Sequence, residues 1–584
     1  MSLESVLIAN RGEIAVRVIR TAKEMGLRTI AIYSELDRDS LHVALADEAW
    51  NVGGAPAAES YLNMDRILQV AQAAKASAIH PGYGFLAENA IFAQRVIDTG
   101  LAWVGPPPAA IRIMGDKIAS RQAVAAAGVQ SVPGTIEPLS SAEDVAAVAE
   151  SFGYPVAIKA AHGGGGKGLR VVAGPEGLAE AFEGAQREAD AYFGNSAVYV
   201  EKYLERPRHI EAQIFVAADG TGYFLGERDC SVQRRHQKLI EESPAPTVTD
   251  AQRKTLSEAA LAVADACDYR NAGTIEFLMD TSGDLFFLEM NTRLQVEHTV
   301  TEMVMGVDLV RAQLMTAAGE QVDLADLTPR GHAIEFRINA EDPSTGFLPS
   351  PGQIVHYRDP AGYGIRVDGW VQSGSRVSQY YDNLVAKLVV WGSTRSEAIE
   401  RSRRALAEYI VDGIATTIPA HLAIVNDPIF QTGDHHTRYV EDELDLSGLK
   451  AQSRTGTLPE EEEADRRSMT VEVGGKRFEV SFWAPSPAAT ASGPSAARRR
   501  PPKLKASNPN AGADAGVIVA PMQGTIVKIS SPAGTAIDVD EPICVLEAMK
   551  MENEVRSPVK GELVELRVQA GDTVAAGQVI AIVR

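Results

Sequence analysis

Phe287-Leu288-Glu289-Met290-Asn291-Thr292-Arg293-Leu294-Gln295-Val296-Glu297-His298 is the densest run of chemistry-bearing residues in the chain. An apolar stretch, Leu285–Leu288, reads as a strand and runs directly into groups that are costly to bury without partners. Upstream, Gly273-Thr274-Ile275-Glu276-Phe277 places a second carboxylate on another apolar strand. Glu276 and Glu289 offer hard oxygen ligands suited to Mg²⁺ bridging phosphate oxygens, with Asn291 as a neutral third ligand. The competing reading is a pair of satisfied structural ion pairs.

Working outward, Gly163-Gly164-Gly165-Gly166-Lys167-Gly168 has the GxGxxG spacing, but Leu169-Arg170-Val171-Val172 follows it as a β-like run where a dinucleotide site needs a helix. Ala161 and Gly168 also break a P-loop pattern. The segment is expected to be a hairpin tip between Val156–Ala160 and Leu169–Ala173, with bare backbone amides able to fold over phosphates. Toward the N-terminus, apolar Ser5–Asn10, helical Glu13–Met25 and apolar Arg28–Tyr33 alternate as in a parallel α/β unit. Asn10-Arg11-Gly12 with Asp37 superficially resembles a dinucleotide fingerprint, but only one glycine is present, so this unit is read as structural. His80-Pro81-Gly82-Tyr83-Gly84-Phe85 follows the apolar run near Ala78 as a loop at a strand's C-terminal end. Strands dominate from Pro155, and a helix is expected near Arg395–Tyr409.

Residues 446–515 differ in composition. A glutamate run, Glu460–Glu463, precedes a predicted hairpin of Met469–Val473 and Arg477–Phe482 around Gly474-Gly475. The Ala/Pro/Ser/Gly-rich stretch Pro485–Gly516 has little to bury and reads as a tether. Its basic cluster, Arg498–Arg500 with Lys503 and Lys505, lacks interleaved aromatics and reads as solvated linker rather than a nucleic-acid site. Beyond it lies an internal repeat at an offset of 37 residues: Pro521-Met522-Gln523-Gly524 against Pro558-Val559-Lys560-Gly561, and Gly534 against Gly571. Two such halves would close a flattened antiparallel barrel, with Met549-Lys550-Met551 at the turn joining them.

The 584 residues are 45% hydrophobic and 23% charged, an ordinary globular balance for about three to five domains. A formal charge of −21 disfavours binding to nucleic acid or anionic lipid, so anionic substrates need local basic pockets. The three cysteines, Cys230, Cys267 and Cys544, form neither a disulfide framework nor a CxxC metal pattern. No secretory leader or transmembrane run is present, and a cytoplasmic location is expected.

Two methionines bracketing an exposed lysine on a quasi-symmetric small barrel resemble the biotinyl domain of biotin-dependent carboxylases. Lipoyl domains share the fold but usually lack methionine on both sides. The segments Ala9–Ala15, His80–Asn89, Gly163–Gly168, Arg234–Lys238, Glu289–Glu297 and Arg337–Pro343 resemble biotin carboxylase, an ATP-grasp enzyme, over roughly 1–445. The chain is similar overall to the α-subunits of actinobacterial acyl-CoA carboxylases of the acetyl-/propionyl-CoA family. Thr299 departs from the proline usual in these relatives.

The resemblance implies an α/β (α+β) multidomain fold: an ATP-grasp biotin carboxylase followed by an all-β flattened biotinyl barrel. The expected units are 1–115 (parallel α/β), 116–330 (ATP-grasp with Gly-rich lid), 331–445 (C-terminal carboxylase subdomain), 446–515 (hairpin and linker) and 516–584 (biotinyl domain). It implies that biotin is attached to Lys550. Lys117 and Lys159 would contact ATP phosphates, with Gly165 and Gly166 closing above. Glu201, Lys202 and Leu204 would form the adenine hinge, and His209, Gln233 and His236 would contact the nucleotide. Lys238, Arg293 and the Val296 backbone would hold bicarbonate beside Gln295. Glu297 would be the base, and Arg337 would face the biotin ureido oxygen. The implied cofactors are biotin, ATP and Mg²⁺ (or Mn²⁺), with bicarbonate as substrate. The implied partners are a biotin protein ligase and a carboxyltransferase β-subunit in a hetero-oligomer that also self-associates. Another ATP-grasp ligase with an appended carrier, or a scaffold that only presents biotin, would share parts of this pattern.

Overall fold

The N-terminal alternation of apolar runs and helical spacing folds into a five-stranded parallel sheet. Its strands are β1 (Ser5–Ile8), β2 (Arg28–Ser34), β3 (Glu48–Gly53), β4 (Ala78–His80) and β5 (Ala102–Trp103), in the order β3-β2-β1-β4-β5. All four residues of β1 are buried, as expected for a central parallel strand covered on both faces. At the turn after β1 the charged groups pair with one another. Arg11 Nε lies 2.6 Å from Asp37 Oδ2, and the guanidinium sits between the rings of Trp370 (4.8 Å) and Tyr381 (4.3 Å). Burial alone would raise the Asp37 carboxyl, but Arg11 outweighs it and holds the group at about 2. Asp37 is thus committed to an internal ion pair, the structural role read from the sequence.

The computed structural model describes residues 3–135, 138–139, 141–160, 170–193, 197–450, 464–473, 476–485, 516–549, 551–575 and 577–584. Within them, a small sheet of β6 (Val156–Ala160), β7 (Arg170–Val172) and β8 (Val198–Lys202) has its own apolar cluster, built with Val145, Phe182 and Ala185 from two helices. The glycine-rich segment, including Gly165 and Gly166, lies outside the described residues.

An eight-stranded antiparallel sheet forms the main platform. It contains β9 (Arg208–Val216), β10 (Gly222–Arg234), β11 (Gln237–Ser243), β12 (Asn271–Met279), β13 (Leu285–Asn291) and β14 (His332–Asn339), followed by the strands Leu384–Gly392 and Ile365–Gly369. The order is β13-β12-β9-β10-β11-β14, then Leu384–Gly392 and Ile365–Gly369. The strand Gln237–Ser243 pairs directly with His332–Asn339, so one continuous sheet joins the two stretches of chain. The helix Asp250–Ala266 starts at a capping box in which Thr249 and Gln252 satisfy each other's backbone N–H groups. It buries Leu256, Ala260, Val263 and Ala264. The helix expected near Arg395–Tyr409 spans Arg395–Glu408, capped by Thr394.

The strands Ala464–Val473 and Lys476–Pro485 pair in a hairpin longer than the sequence pattern predicts; Gly474 and Gly475 lie outside the described residues. The C-terminal segment forms two four-stranded sheets whose make-up repeats the sequence offset. Gly524–Ile529 corresponds to Gly561–Leu566, Ala536–Ile537 to Thr573–Val574, and Pro542–Ala548 to Val579–Val583. Ile526, Ile543, Leu546, Leu563 and Ile580 fill the space between the sheets. Ala548 pairs with Met551 at the end of the strand pair, and Met549 follows the first strand directly; Lys550 lies outside the described residues.

All three cysteines are free and buried. Among the described residues no helix is long and apolar enough to cross a membrane.

Candidate active site

The strand Arg208–Val216 is buried along almost its whole length, yet it carries Glu211 and Gln213. Charges in so apolar a strand require partners. Arg228, fully buried on the neighbouring strand, provides them: Nε and Nη2 lie 3.0 and 2.9 Å from Glu211 Oε2, and Nη1 donates to Gln213 Oε1 at 2.6 Å. Thr301 and Thr274 accept its remaining N–H groups at 3.0 Å. This ion pair is fully hydrogen-bonded, which offsets the desolvation of both charges.

Lys238, on the strand Gln237–Ser243, reaches over this pair. Its Nζ donates to Glu276 Oε1 at 2.9 Å and to Glu297 Oε1 at 2.8 Å, and also contacts Glu211. Burial opposes its charge, but the three carboxylates outweigh burial and hold the ammonium well above the usual lysine range. Arg337, on His332–Asn339, donates through Nη2 to Glu297 Oε2 at 2.9 Å and through Nε to Glu241 Oε1 at 2.5 Å. Glu297 therefore has one cation on each carboxylate oxygen. Burial would raise it, yet Lys238, Arg337 and Arg228 keep it well below the usual carboxylate range. Glu241 goes the other way: burial, aided by the Glu297 charge and opposed by Arg337, lifts it to about 7. Its Oε2 is buried without a hydrogen-bond partner among the described residues.

Glu276 and Glu289 face each other in register across their antiparallel strands. Like charges so placed repel. Burial, then Glu276, raises the Glu289 carboxyl even though the residue retains solvent-exposed area. A hard divalent cation between the two would relieve that repulsion, so the oxygen donor set fits Mg²⁺. The third expected ligand, Asn291, directs Nδ2 to Glu276 Oε1 at 2.8 Å and accepts from Arg293 Nη2 at 2.7 Å through Oδ1. Among the described residues, the tight groups of His, Cys, Asp and Glu ligand atoms are His209–Glu211–Glu276 and Glu211–Cys230–Glu297, neither of which includes Glu289. The reason lies in the bonding of Glu276. Lys238, Asn291 and Gln295 (2.9 Å) all donate to its Oε1, and His209 Nε2 lies 2.8 Å from its Oε2, turning the carboxylate inward.

The other expected residues divide into two groups. Arg293 joins the cluster through Gln295 Oε1 (2.8 Å) and is anchored by Glu88 Oε2 (2.9 Å). Val296 gives its carbonyl to Lys387 Nζ at 2.8 Å. Gln233 is buried opposite Lys238 on the paired strand. Lys159 donates to Glu201 Oε2 at 2.5 Å, and Arg121 takes the other carboxylate oxygen. Glu201, expected at the adenine hinge, thus also restrains two cations. Lys117 opens the helix Lys117–Ala126, its ammonium lowered first by burial and then by Lys159. Leu204 is buried, whereas Lys202 is exposed. His236 stands exposed at the tip of the β10–β11 hairpin with φ +64°, and among the described residues the hydrogen bonds of the Lys238 cluster do not include it. Glu211, Arg228, Glu241 and Glu88 were not singled out from the sequence. The visible clue was a charge inside an apolar strand, as at Glu211 and at Glu241.

Known families and solved structures match the chain along most of its length. The family described as "Biotin carboxylase, N-terminal domain" matches residues 2–111, and "Carbamoyl-phosphate synthase L chain, ATP binding domain" matches 116–325. "Biotin carboxylase C-terminal domain" matches 335–442, and "Biotin-requiring enzyme" matches 516–583. A biotin carboxylase complex from Campylobacter jejuni superposes with a TM-score of 0.72 at 45% identity, covering 75% of this chain and 98% of that one. Fold and site therefore define an ATP-grasp biotin carboxylase, a ligase, carrying its own biotin-carrier domain.

A "Biotin-dependent acyl-coenzyme A carboxylase alpha3 subunit" of Mycobacterium leprae is 47% identical over 99% of this chain and 98% of its own length. The "Biotin carboxylase" of Haemophilus influenzae is 49% identical, over 76% of this chain and 100% of its own. The chain belongs to the family of biotin-dependent acyl-coenzyme A carboxylase α subunits.

Proposed function

We propose that the chain uses ATP and bicarbonate to carboxylate biotin carried on Lys550, by way of carboxyphosphate, and hands the carboxyl group to a separate carboxyltransferase β-subunit whose substrate is acetyl- or propionyl-CoA. The observation that carries the first half is Glu297 held between Lys238 and Arg337, at 2.8 and 2.9 Å. Bicarbonate is a poor electrophile, and bringing it beside a triphosphate sets anion against anion. Lys238 and Arg293 supply the opposing charge. An arriving bicarbonate competes with Glu297 for Lys238, and losing that partner makes Glu297 a stronger base for the bicarbonate proton. As Glu297 takes that proton, the bicarbonate oxygen bonds to the γ-phosphorus and ADP leaves. The resulting carboxyphosphate breaks into CO2 and phosphate, the phosphate takes the biotin N1′ proton, and N1′ bonds to the CO2 carbon. Arg337, already directed into the pocket, stabilises the ureido oxygen with a charge-assisted hydrogen bond.

Mg²⁺ (or Mn²⁺), when bound, neutralises charge on the transferring phosphoryl group. Glu276 and Glu289 would hold it, with Asn291 joining once Arg293 turns to substrate. Lys117 and Lys159 would steady the phosphates, with Gly165 and Gly166 above them. The hinge Glu201–Leu204, together with His209, Gln233 and His236, would seat the nucleotide. Units of 1–115, 116–330, 331–445, 446–515 and 516–584 would divide this labour, the last modified by a biotin protein ligase. The test is ATP hydrolysis by biotinylated protein with and without bicarbonate, with mass spectrometry of the peptide around Lys550. Bicarbonate-independent hydrolysis, or no adduct after ligase treatment, would remove the proposal.

A further inference from the structure

Glu241 and Glu335 are partners in register across the strands Gln237–Ser243 and His332–Asn339, and both are fully buried. Directly opposed side chains on one face of a sheet stand close enough for their carboxyl groups to interact. Each has one oxygen in use. Glu241 Oε1 accepts from Arg337 Nε at 2.5 Å, and Glu335 Oε2 accepts from the Thr299 hydroxyl. The other oxygen of each, Glu241 Oε2 and Glu335 Oε1, is buried with no hydrogen-bond partner among the described residues. One proton satisfies both orphaned acceptors at once, because a protonated carboxyl donates where a carboxylate only accepts.

The surrounding cations are already committed. Arg337 divides its arms between Glu241 and Glu297. Lys387, opposite Arg337 on the strand Leu384–Gly392, donates to the Val296 carbonyl at 2.8 Å and lies 3.1 Å from Glu13 Oε1, with the Asp368 charge also drawing on it. Lys238, whose field reaches Glu241, is spent on Glu211, Glu276 and Glu297. Cys230 feels Glu241 and Tyr83 feels Glu335, but burial, aided by carboxylate charge, holds thiol and phenol protonated, well above their usual ranges. Burial outweighs Lys387 at Glu335 and, aided by the Glu241 charge, lifts its carboxyl well above the usual range.

We propose that Glu241 and Glu335 hold a single proton between them and act as a positioning pair for Arg337, setting how firmly its guanidinium is gripped before biotin arrives. The inference rests on Arg337 acting at the biotin ureido oxygen and adds what lets it get there. To reach that oxygen the guanidinium has to release Glu241. With the proton shared, the pair carries one negative charge and keeps an internal hydrogen bond when Arg337 turns away. With the proton lost, two buried carboxylates face the guanidinium, and its departure would strand both. Deprotonation therefore pins Arg337 and slows the biotin step, so activity falls as pH rises through the titration of the pair. That titration belongs to the pair and to neither glutamate alone.

The experiment uses the full-length chain and the variants Glu335→Gln and Glu241→Gln, with free biotin as acceptor. A glutamine amide donates at every pH, whereas the shared proton donates only while bound. Carboxylation of free biotin by the parent is expected to fall on the alkaline side of neutrality by up to about tenfold per pH unit, as loss of one proton requires. In Glu335→Gln this alkaline limb is expected to disappear. A parent-minus-variant infrared difference spectrum at neutral pH is expected to show the C=O stretch of one protonated carboxyl for either variant. Superimposable pH profiles for the parent and Glu335→Gln, or difference spectra that contain only ionised carboxylate, would overturn the pair. A parent that carboxylates no free biotin at any pH would instead remove the functional reading beneath it, and the infrared difference would still decide whether the proton is shared.

Discussion

Arg337 and Glu297 share one hydrogen bond, Nη2 to Oε2 at 2.9 Å, which joins the residue assigned to the acceptor's oxyanion to the residue assigned as base. The pair ties the two half-reactions together: whatever draws Arg337 toward biotin also frees Glu297 from one of its cations. Glu297→Gln keeps the shape and removes the charge. Bicarbonate-dependent ATP hydrolysis should fall by about 10²–10⁴-fold while ATP binding persists, measured by steady-state kinetics and calorimetry. An unchanged rate would exclude Glu297 as the base.

Arg337→Lys leaves a charge but loses the second N–H arm, the one that reaches Glu241 at 2.5 Å. Carboxylation of free biotin should drop by about two orders of magnitude, consistent with removal of an oxyanion donor worth about 3 kcal/mol. Carboxylation that proceeds at the parent rate would place the ureido contact elsewhere.

Lys550→Arg should yield protein that a biotin ligase cannot modify and that carries no tethered carboxylation. Its ATP hydrolysis with free biotin should match the parent, since no described residue of the Lys238 cluster belongs to the barrel. Intact-mass measurement checks the first outcome, and a coupled ADP assay the second.

Arg228→Leu strips buried Glu211 of its two-armed partner and leaves only Lys238 and, at 3.7 Å, His209 beside the charge among the described residues. The carboxylase unit should lose about 3–5 kcal/mol, read from its urea midpoint. Arg228→Leu combined with Glu211→Leu should recover most of that loss, because no unpaired charge remains.

Stability should also depend on pH through Glu242. Its carboxylate accepts from Arg395 at 2.7 and 3.0 Å and lies 2.7 Å from His332 Nε2. Burial would raise it, but Arg395 and His332 lower it to about 2. A depressed carboxyl contributes stability that is complete above its unfolded value, near 4.5, and is lost as pH falls toward 2. Glu242→Gln should therefore cost on the order of 3 kcal/mol at pH 7, with the gap to the parent narrowing below about pH 5. A gap that widens in acid would contradict the assignment.

How much of this was legible in the sequence depends on what each residue's partners are. The 37-residue offset carried the barrel, because repeated spacing implies repeated strands. Glu276 and Glu289 could be placed on two apolar strands, and the structure sets them opposite each other. Glu211, Arg228 and Glu241 were missed because their meaning is lateral. Glu211 pairs with Arg228 across β9 and β10, while Glu241 meets Arg337 across β11 and β14. A linear reading contains the strands but not their order. Thr299 is similar: it reads as a change in loop stiffness, yet it sits in the helix His298–Met305 and its hydroxyl donates to buried Glu335.

The pairing of Gln237–Ser243 with His332–Asn339 carries a mechanical consequence. Lys238, Glu276 and Arg337 are bolted to a single continuous sheet, while Lys159 and Glu201 ride on a separate, smaller one with its own apolar filling. Any rigid-body swing that grips and releases nucleotide can therefore leave the anion pocket undistorted. The anvil stays fixed, and only the hammer has to travel.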